Sequence, residues 1–346
     1  MSDRIRTVQM PLPTVWQRRQ VAALARHGVD VRYVEGFYAT SYLPWFQLPR
    51  EVLRGYDLLH VHWIPFWSKA VLRAFLTAVP RSRPLVWQFH NLWPHRPQFG
   101  TEETDIAWTR RCWDRADARL VHSEANVRDF AALGMTGARV LPLGNLHGEF
   151  PAQVDRAEAR RRLGLPPDAT IVGFFGPTGP YKGAATFVEA LERAPDVHGL
   201  VFGHCPDPLL AAELRAAGAR FGDRLRVDLR RIANDELQNH FRACDLVALP
   251  YERITTSGSV FFPAAFGVPV VGSPLGNIPD VVRDGETGYL AWGVDGFARV
   301  FRETAGRRED LAAMGRKFHE DVGERFDWDP IAKATVEVYR ELLDRA

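Results

Sequence analysis

Short apolar runs alternate with amphipathic stretches along almost the whole chain. The apolar runs end at polar or turn-forming residues, which is typical of buried strands, and the stretches between them show helical spacing. The predicted helices include Val15–His27, Glu102–Arg115, Ala184–Arg193 and Leu209–Ala217. The predicted strands are Arg6–Met10, Val29–Val34, Leu58–His62, Leu85–His90, Leu120–His122, Val140–Leu143, Thr170–Phe175, Gly199–Phe202, Leu225–Asp228, Leu246–Leu249, Pro269–Gly272 and Gly288–Ala291. This alternation predicts right-handed crossovers and parallel sheets that helices cover on both faces.

The alternation is interrupted once, at the segment "GNLHGEFPAQVDRAEARRRLGLPPDA", where a loop with Gly and Pro leads into a strongly basic helix. A chain of 346 residues is also longer than one hydrophobic core usually supports. The sequence therefore predicts an α/β protein with two doubly wound, Rossmann-like domains that face a cleft. We place the boundary close to Gly148, so that residues 1–148 form the first domain and residues 149–326 the second.

Composition excludes several classes of protein. The net charge is +2 and no block of Lys and Arg is present, which argues against a nucleic-acid partner. The N-terminal sequence lacks the apolar core of a signal peptide, and no apolar run approaches the roughly 20 residues that span a membrane. Three widely separated cysteines without CxxC spacing indicate buried thiols in a reducing cytoplasm. We expect a cytoplasmic protein.

The first candidate site follows a predicted strand in "IVGFFGPTGPYKGAATFVEAL". Ligands of doubly wound sheets bind at the carboxyl ends of strands, and the amides at a helix N-terminus favour phosphate. Here Lys182 precedes a helix that begins near Gly183, so both could contact one anion. The spacing matches neither a P-loop nor GxGxxG. An ordinary strand–loop–helix turn with an exposed lysine is the alternative.

The second candidate lies in "LPYERITTSGSVFFPAAFGVPVV". Hydroxyl and glycine residues are typical of a helix cap or an anion-binding nest, and the diphosphate candidates are Thr256, Ser257, Gly258 and Ser259. The helix that follows, Val260–Phe266, has no charge and is predicted to be buried. Two helix starts and a lysine together predict a diphosphate site, whereas a plain N-cap explains this segment alone.

These residues carry a resemblance. "PYKG" and "CDLVALPYERITTSGSVFFPAAFGVPVVGSPLGNIPDVVRDGETGYL" resemble the donor domain of GT-B glycosyltransferases of the family 4 type, with its pattern "GxPVV…GGIPEVVxDGxTGxL". The "LPY…SGS" form and "HNLWPH" resemble the subset that includes the xanthan-pathway β-mannosyltransferase. The resemblance runs from about Asp57 to Tyr289, and the fold would cover the whole chain.

The resemblance implies an enzyme that moves a sugar from a UDP- or GDP-sugar to a hydroxyl of a glycan, a glycolipid or a small molecule, in polysaccharide or glycoconjugate biosynthesis. The first domain would bind the acceptor and the second the donor, and the C-terminal helix, residues 327–346, would pack back on the first domain. Lys182 would stabilise the departing diphosphate. No metal ion and no cofactor are implied, because this fold holds the diphosphate with helix dipoles and side-chain cations.

The sequence departs from the family pattern at the donor. Two glutamates that the family places eight residues apart would fall near Ile254 and Phe262, and neither carboxylate is present. The arginine that accompanies the phosphate lysine is replaced by Pro177 or Gly179. We assign Arg253 as its substitute. The candidates for the nucleobase and ribose are Arg231 and Ile232, in the loop after a strand, and Arg253.

Histidines mark the first domain. Side-chain alternation places His60 and His62 on one face of a strand, where they could line a cleft, serve the structure, or bind a metal if a third ligand were near. His90 matches the family histidine beside the donor sugar, and its imidazole suits a general base or a sugar contact. Further candidates for the acceptor or sugar are His62, Asn91, His95, Ser123 and Glu124; helix capping would explain Ser123 equally well.

Tryptophan is concentrated in the first third of the chain. Loop-like apolar segments, Ser41–Pro49 and "HWIPFW", predict a surface for a glycan or lipid-linked acceptor, with peripheral contact to the inner face of a membrane. Contact with another subunit is the alternative. The Asp-x-Asp in "FDWDP" is read as a helix N-cap at Asp329, not as a metal site.

The sequence is compatible with three alternatives. The enzyme inverts if His90 is the base and retains if the leaving phosphate takes the proton; the β-mannosyltransferase resemblance favours inversion. A sugar-nucleotide 2-epimerase shares the fold but needs acidic residues around the sugar. A non-catalytic nucleotide-sugar-binding protein would explain the missing glutamates.

Overall fold

The computed structural model describes residues 4–10, 14–33, 55–63, 68–92, 98–176 and 179–345. The chain divides into two compact units. Unit 1 consists of Met1–Gly144 and Phe326–Ala346, and unit 2 of Asn145–Arg325. Several predicted features lie outside the described residues: His95, Pro177, Ser41–Pro49 and most of "HWIPFW".

Unit 1 contains a six-stranded parallel sheet of order β2-β1-β3-β4-β5-β6. In chain order its described elements are β1 (Ile5–Met10), α1 (Val15–Arg26), β2 (Val29–Tyr33), β3 (Leu58–His62), α2 (Lys69–Ala78), β4 (Leu85–Gln88), α3 (Glu102–Arg115), β5 (Ala118–Val121), α4 (Glu124–Ala132), β6 (Ala138–Val140) and, from the C-terminus, α13 (Trp328–Leu343).

Helices cover both faces of this sheet. On one face the buried residues of β3 and β4 pack with Phe75 of α2 and Trp108 of α3. On the other face Leu24 of α1 and Tyr339 of α13 are buried against the sheet. The C-terminal helix thus belongs to unit 1, as the resemblance implies. Trp87 is buried in the first of these two cores and is therefore a structural residue.

Unit 2 contains a second six-stranded parallel sheet, of order β12-β11-β10-β7-β8-β9. Its elements are α5 (Arg156–Leu163), β7 (Thr170–Phe175), a 3₁₀ turn (Pro180–Lys182), α6 (Ala184–Glu192), β8 (Val197–Phe202), α7 (Pro208–Phe221), a 3₁₀ turn (Gly222–Arg224), β9 (Leu225–Asp228), α8 (Leu237–Ala243), β10 (Leu246–Leu249), α9 (Phe261–Ala265), β11 (Val270–Gly272), α10 (Ile278–Val281), β12 (Gly288–Leu290), α11 (Gly293–Thr304) and α12 (Arg308–Arg325).

Both strand orders reverse direction at one point. In unit 1 the reversal falls between β1 and β3, and in unit 2 between β7 and β10. Crevices form outside the carboxyl ends of the strands at such switch points, which is where doubly wound sheets bind ligands. The switch point of unit 2 is bordered by the loop before Lys182 and by the loop after Leu249. That of unit 1 is bordered by His62.

Every predicted strand has an observed counterpart, so the doubly wound α/β prediction is confirmed. Leu58–His62, Thr170–Phe175, Leu225–Asp228 and Leu246–Leu249 keep both predicted ends. The strand predicted to end at His90 ends at Gln88, because His90 lies beyond the last paired residue. The helix predicted at Val260–Phe266 is shorter, at Phe261–Ala265.

The C-terminal cap also differs from the prediction. Asp327, not Asp329, caps α13: its carboxylate accepts the amide of Asp329 at 2.8 Å. Asp329 lies inside the first turn, and its carboxylate pairs with His27 at 2.7 Å and with Lys333 at 2.8 Å. Both carboxylates of the Asp-x-Asp thus have structural partners within unit 1.

Candidate functional site

A buried lysine lies at the switch point of unit 2. The Lys182 side chain is at the end of the 3₁₀ turn, and the residue is only 5% exposed. Its Nζ lies 3.4 Å from the Phe175 carbonyl oxygen and 3.4 Å from Ser259 Oγ. No carboxylate of the described residues pairs with it. Among the described residues, the ammonium group is therefore surrounded by neutral oxygens and by the rings of Phe175 and Tyr251, whose centroids lie 5.7 Å from Nζ.

Glycine makes room for this ammonium group. Gly176 follows β7 with φ +113°, and a Cβ at this position would lie 2.5 Å from Lys182 Nζ. Gly183, at φ +73°, has a similar role one residue after the lysine: a Cβ there would lie 1.8 Å from the Pro250 carbonyl oxygen. A side chain at position 183 would thus collide with the backbone of Pro250, and the positive φ favours glycine at both positions.

The start of α6 supplies unpaired amides beside Lys182. The first bond of the helix runs from the Phe187 amide to the Gly183 carbonyl at 3.0 Å, and no side chain caps the helix. The amides that precede Phe187 have no intrahelical acceptor, as at any helix start. The expected second helix dipole is weaker than predicted, because α9 has only five residues and begins after Val260.

The loop Thr255–Ser259 is held from inside the protein. The amide of Ser257 donates to Asn277 Oδ1 at 2.6 Å, and Asn277 Nδ2 donates to the Ser257 carbonyl at 3.2 Å. The Ser257 hydroxyl lies 3.0 Å from the Tyr251 hydroxyl. Ser257, a predicted diphosphate residue, thus has its amide and hydroxyl engaged within the fold and acts as an anchor of the loop.

The other predicted residues of this loop are better exposed. Ser259, Gly258 and Thr256 are half-buried, and Ser259 is the member that lies beside the lysine. Lys182, Gly183 and Ser259 therefore lie together. Ser257 has a different role, because it anchors the loop. Asn277, which holds the loop, was missed; it lies twenty positions from Ser257, and only its place in the "GNIPD" motif pointed to it.

The predicted nucleobase and ribose residues lie apart from Lys182 along the chain. Arg231 is exposed and Ile232 half-buried in the loop after β9, and Arg253 is exposed. Where the family has its second glutamate, Phe262 is half-buried and stacks on Phe150 with ring centroids 5.4 Å apart. An aromatic side chain therefore occupies that position.

In unit 1 the residues on one face of the sheet change from apolar to polar along the strands. On the face covered by α1 and α13, strands β1, β3, β4 and β5 begin with apolar residues and lead into polar ones. The buried polar residues at the carboxyl ends are Thr7, Gln9, His60, His62, Gln88, His90 and His122. In a doubly wound fold this is the edge at which ligands bind.

Four of these residues form a connected cluster of imidazoles. His60 stacks on His62 with ring centroids 4.3 Å apart. His62 Nδ1 lies 3.4 Å from His90 Nε2, and His90 Nδ1 lies 3.0 Å from His122 Nε2. At the ends of the chain, His122 Nδ1 lies 3.0 Å from the Leu141 carbonyl oxygen, and His60 Nδ1 lies 2.6 Å from the Tyr339 hydroxyl.

Burial keeps these histidines neutral. It lowers the pKa of His60 to about 3 and that of His122 to about 4. The pKa values of His62 and His90 are also lowered well below their usual range, first by burial and then by the neighbouring imidazoles. No described carboxylate pairs with any of the four, and the hydrogen bonds of His60 with Gln88 and of His122 with Leu141, which raise the pKa, are outweighed by burial.

Trp63 covers this cluster in a strained conformation. Its φ of +59° is the one positive φ among the described residues other than glycine. The strain is held by two bonds: the Trp63 amide donates to the Gln88 carbonyl at 3.1 Å, and the Trp87 indole donates to the Trp63 carbonyl at 2.6 Å. The result places the Trp63 ring on His90, with centroids 4.1 Å apart. Such strain is typical of functional sites.

The remaining predicted residues of unit 1 have simpler surroundings. Asn91 is half-buried next to His90, and Glu124 is exposed at the first position of α4. Ser123 is buried and caps α4, its hydroxyl accepting the Asn126 amide at 3.1 Å. The capping alternative therefore accounts for Ser123. His122 and Trp63 were missed, although strand alternation carried across β5 would have placed His122 beside His90.

Two models of known protein families match the chain, one in each unit. Residues 13–144 match the family model "Glycosyltransferase Family 4", and residues 169–304 match "Glycosyl transferases group 1". A D-inositol 3-phosphate glycosyltransferase from Streptomyces scabiei is 31% identical over 307 residues, which cover 82% of this chain and 68% of that protein. The chain belongs to the family 4, group 1 glycosyltransferases.

Other relatives of this glycosyltransferase carry the same name and match over less of their length. The D-inositol 3-phosphate glycosyltransferase of Streptomyces avermitilis is 34% identical over 226 residues, which are 62% of this chain and 48% of that protein. The chain thus spans about half of that relative and two thirds of the one from Streptomyces scabiei.

Solved structures show the GT-B fold. Anabaena Alr3699/HepE in complex with UDP and glucose has a TM-score of 0.75 at 19% identity, covering 97% of this chain and all of that one. Sucrose-phosphate synthase from Thermosynechococcus elongatus has a TM-score of 0.77 at 19% identity, covering 99% of this chain.

Within the described ranges, no set of three or more His, Cys, Asp or Glu side chains is arranged to hold a metal ion. Nor does any described helix have the length and hydropathy to cross a bilayer.

Proposed function

We propose that this glycosyltransferase binds the diphosphate of a nucleotide sugar at Lys182, Gly183 and Ser259, with Thr256 and Gly258 lining the loop. The observation that carries the proposal is the buried ammonium group of Lys182. A buried charge without an opposite charge beside it costs several kcal/mol, so a protein retains one where a ligand supplies that opposite charge. A diphosphate supplies it, and the charge of the departing group grows during transfer.

The amides at the start of α6 support the same anion. They have no acceptor within the helix, and the positive end of a nine-residue helix favours negative charge. A side-chain cation and helix amides suffice for a diphosphate, so we propose that no metal ion or cofactor is needed. Arg231, Ile232 and Arg253 remain the candidates for the nucleobase and ribose.

For the acceptor side we propose His90 as the general base or sugar contact. It lies at the carboxyl end of β4, next to Asn91 and under Trp63. A buried neutral imidazole has a lone pair available at neutral pH, which is what removal of a hydroxyl proton requires. His62 and His95 remain acceptor candidates, and Glu124 a peripheral one.

The acceptor itself is a hydroxyl compound, and an inositol phosphate is the first to test because the curated relatives are named for it. A glycan or lipid-linked acceptor at the inner face of the membrane, membership of the β-mannosyltransferase subset, and inversion of configuration stay predictions from the sequence. Identifying the product would test the acceptor and the subset, and its anomeric configuration would test inversion.

The test is a panel of UDP- and GDP-sugars, incubated with and without inositol phosphate and other polyol or glycan acceptors. We expect a glycosylated product from one donor only when an acceptor is present, together with a raised melting temperature with the matching nucleoside diphosphate. An epimerised donor without acceptor would show an epimerase. Nucleotide binding without turnover of any donor would show a binding protein.

A further inference from the structure

In the histidine cluster of unit 1, the hydrogen-bond partners determine which ring nitrogens carry protons. A carbonyl oxygen accepts but cannot donate, so the 3.0 Å contact between His122 Nδ1 and the Leu141 carbonyl requires a proton on Nδ1. A neutral His122 then has a lone pair on Nε2. Since His90 Nδ1 lies 3.0 Å from that nitrogen, His90 must carry its proton on Nδ1.

The same reasoning continues along the cluster. With its proton on Nδ1, a neutral His90 has its lone pair on Nε2, which lies 3.4 Å from His62 Nδ1. His62 therefore carries its proton on Nδ1 and leaves Nε2 bare. His62 Nε2 is buried and has no hydrogen-bond partner among the described residues. One backbone carbonyl thus fixes the tautomers of three successive histidines.

This arrangement of protons requires that the histidines are neutral, and the surroundings of the cluster keep them neutral. The histidines are buried, the groups that face them from β1, β4 and α13 are the uncharged side chains of Gln9, Gln88 and Tyr339, and no described carboxylate bonds to them. Burial lowers the pKa of all four imidazoles, so none is protonated near pH 7.

We propose that His122 is a positioning residue: anchored to the Leu141 carbonyl, it fixes the tautomer of His90 so that the lone pair of His90 is on Nε2. Of the two contacts of His90, the one at Nε2 is the longer, and this nitrogen is where an acceptor hydroxyl can replace His62. The catalytic part of the proposal rests on the proposed function.

His90 acts in this arrangement as a hydrogen-bond acceptor, so the cluster stays neutral when substrate binds. A substrate hydroxyl donates to the lone pair on Nε2 of His90, while Nδ1–H of His90 donates to His122 Nε2. His122 thus fills the position that an orienting carboxylate fills beside other histidines, but without adding charge to the cluster.

The direct test is the protonation of the ring nitrogens, measured by long-range ¹H–¹⁵N spectra of the full-length protein at neutral pH. Protonated and bare imidazole nitrogens resonate far apart, and the His90→Gln and His122→Gln variants assign the signals. We expect Nδ1 to be protonated and Nε2 bare in both His90 and His122. A proton on Nε2 of His90 in the wild-type protein would overturn the proposal.

Two variants separate positioning from packing. His122→Phe keeps a ring but removes both bonds, whereas the amide of His122→Gln can accept from His90 and donate to Leu141. We expect kcat to fall about 100-fold in His122→Phe and less than tenfold in His122→Gln, with nucleotide affinity unchanged in both. In His122→Phe the His90 proton should shift towards Nε2, while His122→Gln keeps it on Nδ1.

Equal losses of kcat in the two variants, with unchanged tautomers, would reduce His122 to a structural role. If His122→Phe does not fold, the wild-type and His122→Gln spectra still decide the tautomer. The spectra need no activity, so a protein with the ordered tautomers but no transfer would refute the proposed function and leave the order of the cluster intact.

Discussion

The two switch points of this protein bury ionisable groups in opposite ways. In unit 2 the Lys182 ammonium lies 3.4 Å from two neutral oxygens and has no carboxylate partner in the described chain. In unit 1 four imidazoles bond to one another, to a carbonyl and to a tyrosine, and burial holds them neutral. In unit 2 a charged ammonium group is buried without a counter-ion. In unit 1 the buried imidazoles have lone pairs but no charge.

This difference matches the two tasks of sugar transfer. A diphosphate that gains charge as it departs needs a fixed cation, and the cation costs least when the ligand is present. A substrate hydroxyl that must be held in place needs a hydrogen-bond acceptor that stays unprotonated at neutral pH. If the comparison is right, removing charge should harm unit 2 and adding charge should harm unit 1.

The largest effect is expected from Lys182→Met. Turnover should fall by about 10²- to 10³-fold, because the cation beside the departing diphosphate is lost. The nucleotide-free variant should melt at a higher temperature than the wild-type protein, because an unpaired buried charge is replaced by an apolar chain of similar length. Steady-state kinetics and calorimetric unfolding measure the two effects.

Lys317→Met is the matched control. Lys317 is exposed and pairs with Glu286 at 2.9 Å, so its loss should change neither turnover nor melting temperature appreciably. Near-wild-type turnover of Lys182→Met would remove the lysine from the diphosphate site. A lower melting temperature would show that the ammonium group stabilises the fold and is not held there for a ligand.

The second prediction adds charge to unit 1 through pH. Burial lowers the pKa of His60 to about 3 and of His122 to about 4, whereas the unfolded chain binds these protons near pH 6.5. Below pH 6.5 the unfolded state therefore binds more protons, so the free energy of unfolding falls as pH decreases and is unaffected by these groups above about pH 7. At pH 5 the loss is roughly 2 kcal/mol for each histidine that stays neutral.

Urea unfolding between pH 5 and 8 measures this loss, and it separates histidines from carboxylates, which titrate near pH 4. The His122→Gln variant should show a shallower decrease, since one titrating group is gone while its bonds are retained. A free energy of unfolding that stays constant from pH 8 to pH 5 would mean that the cluster accepts protons in the native state.

Much of the fold could be predicted from the sequence because parallel strands buried on both faces appear as apolar runs. Lys182 could be predicted too, since a strand, a glycine-containing loop and a helix adjoin it in the chain. The histidine cluster could not be assembled in this way. Its members lie on β3, after β4 and after β5, and only the order of the strands in the sheet makes them neighbours.

The error at Ser257 has the same origin. Local sequence assigns a serine before a helix to a cap or a nest, but the partner that occupies the Ser257 amide is Asn277, from a loop beyond β11. The α9 helix is one residue shorter at each end than predicted, a difference that spacing alone did not reveal. Contacts between segments distant in the chain decide which of several similar polar residues faces the ligand.

The smallest effects distinguish Ser257 from Ser259. Ser259→Ala removes the hydroxyl 3.4 Å from Lys182 Nζ, so nucleotide affinity should fall about five-fold while the melting temperature stays unchanged. Ser257→Ala removes the bond to Tyr251 inside the loop, so the free energy of unfolding should fall by about 1 kcal/mol while nucleotide affinity changes less than two-fold. Isothermal calorimetry and urea unfolding of both variants give four values that test this crossed pattern. The reverse pattern would return Ser257 to the diphosphate site and make Ser259 the structural residue, and the loop would then have to release Ser257 from Asn277 when the donor binds.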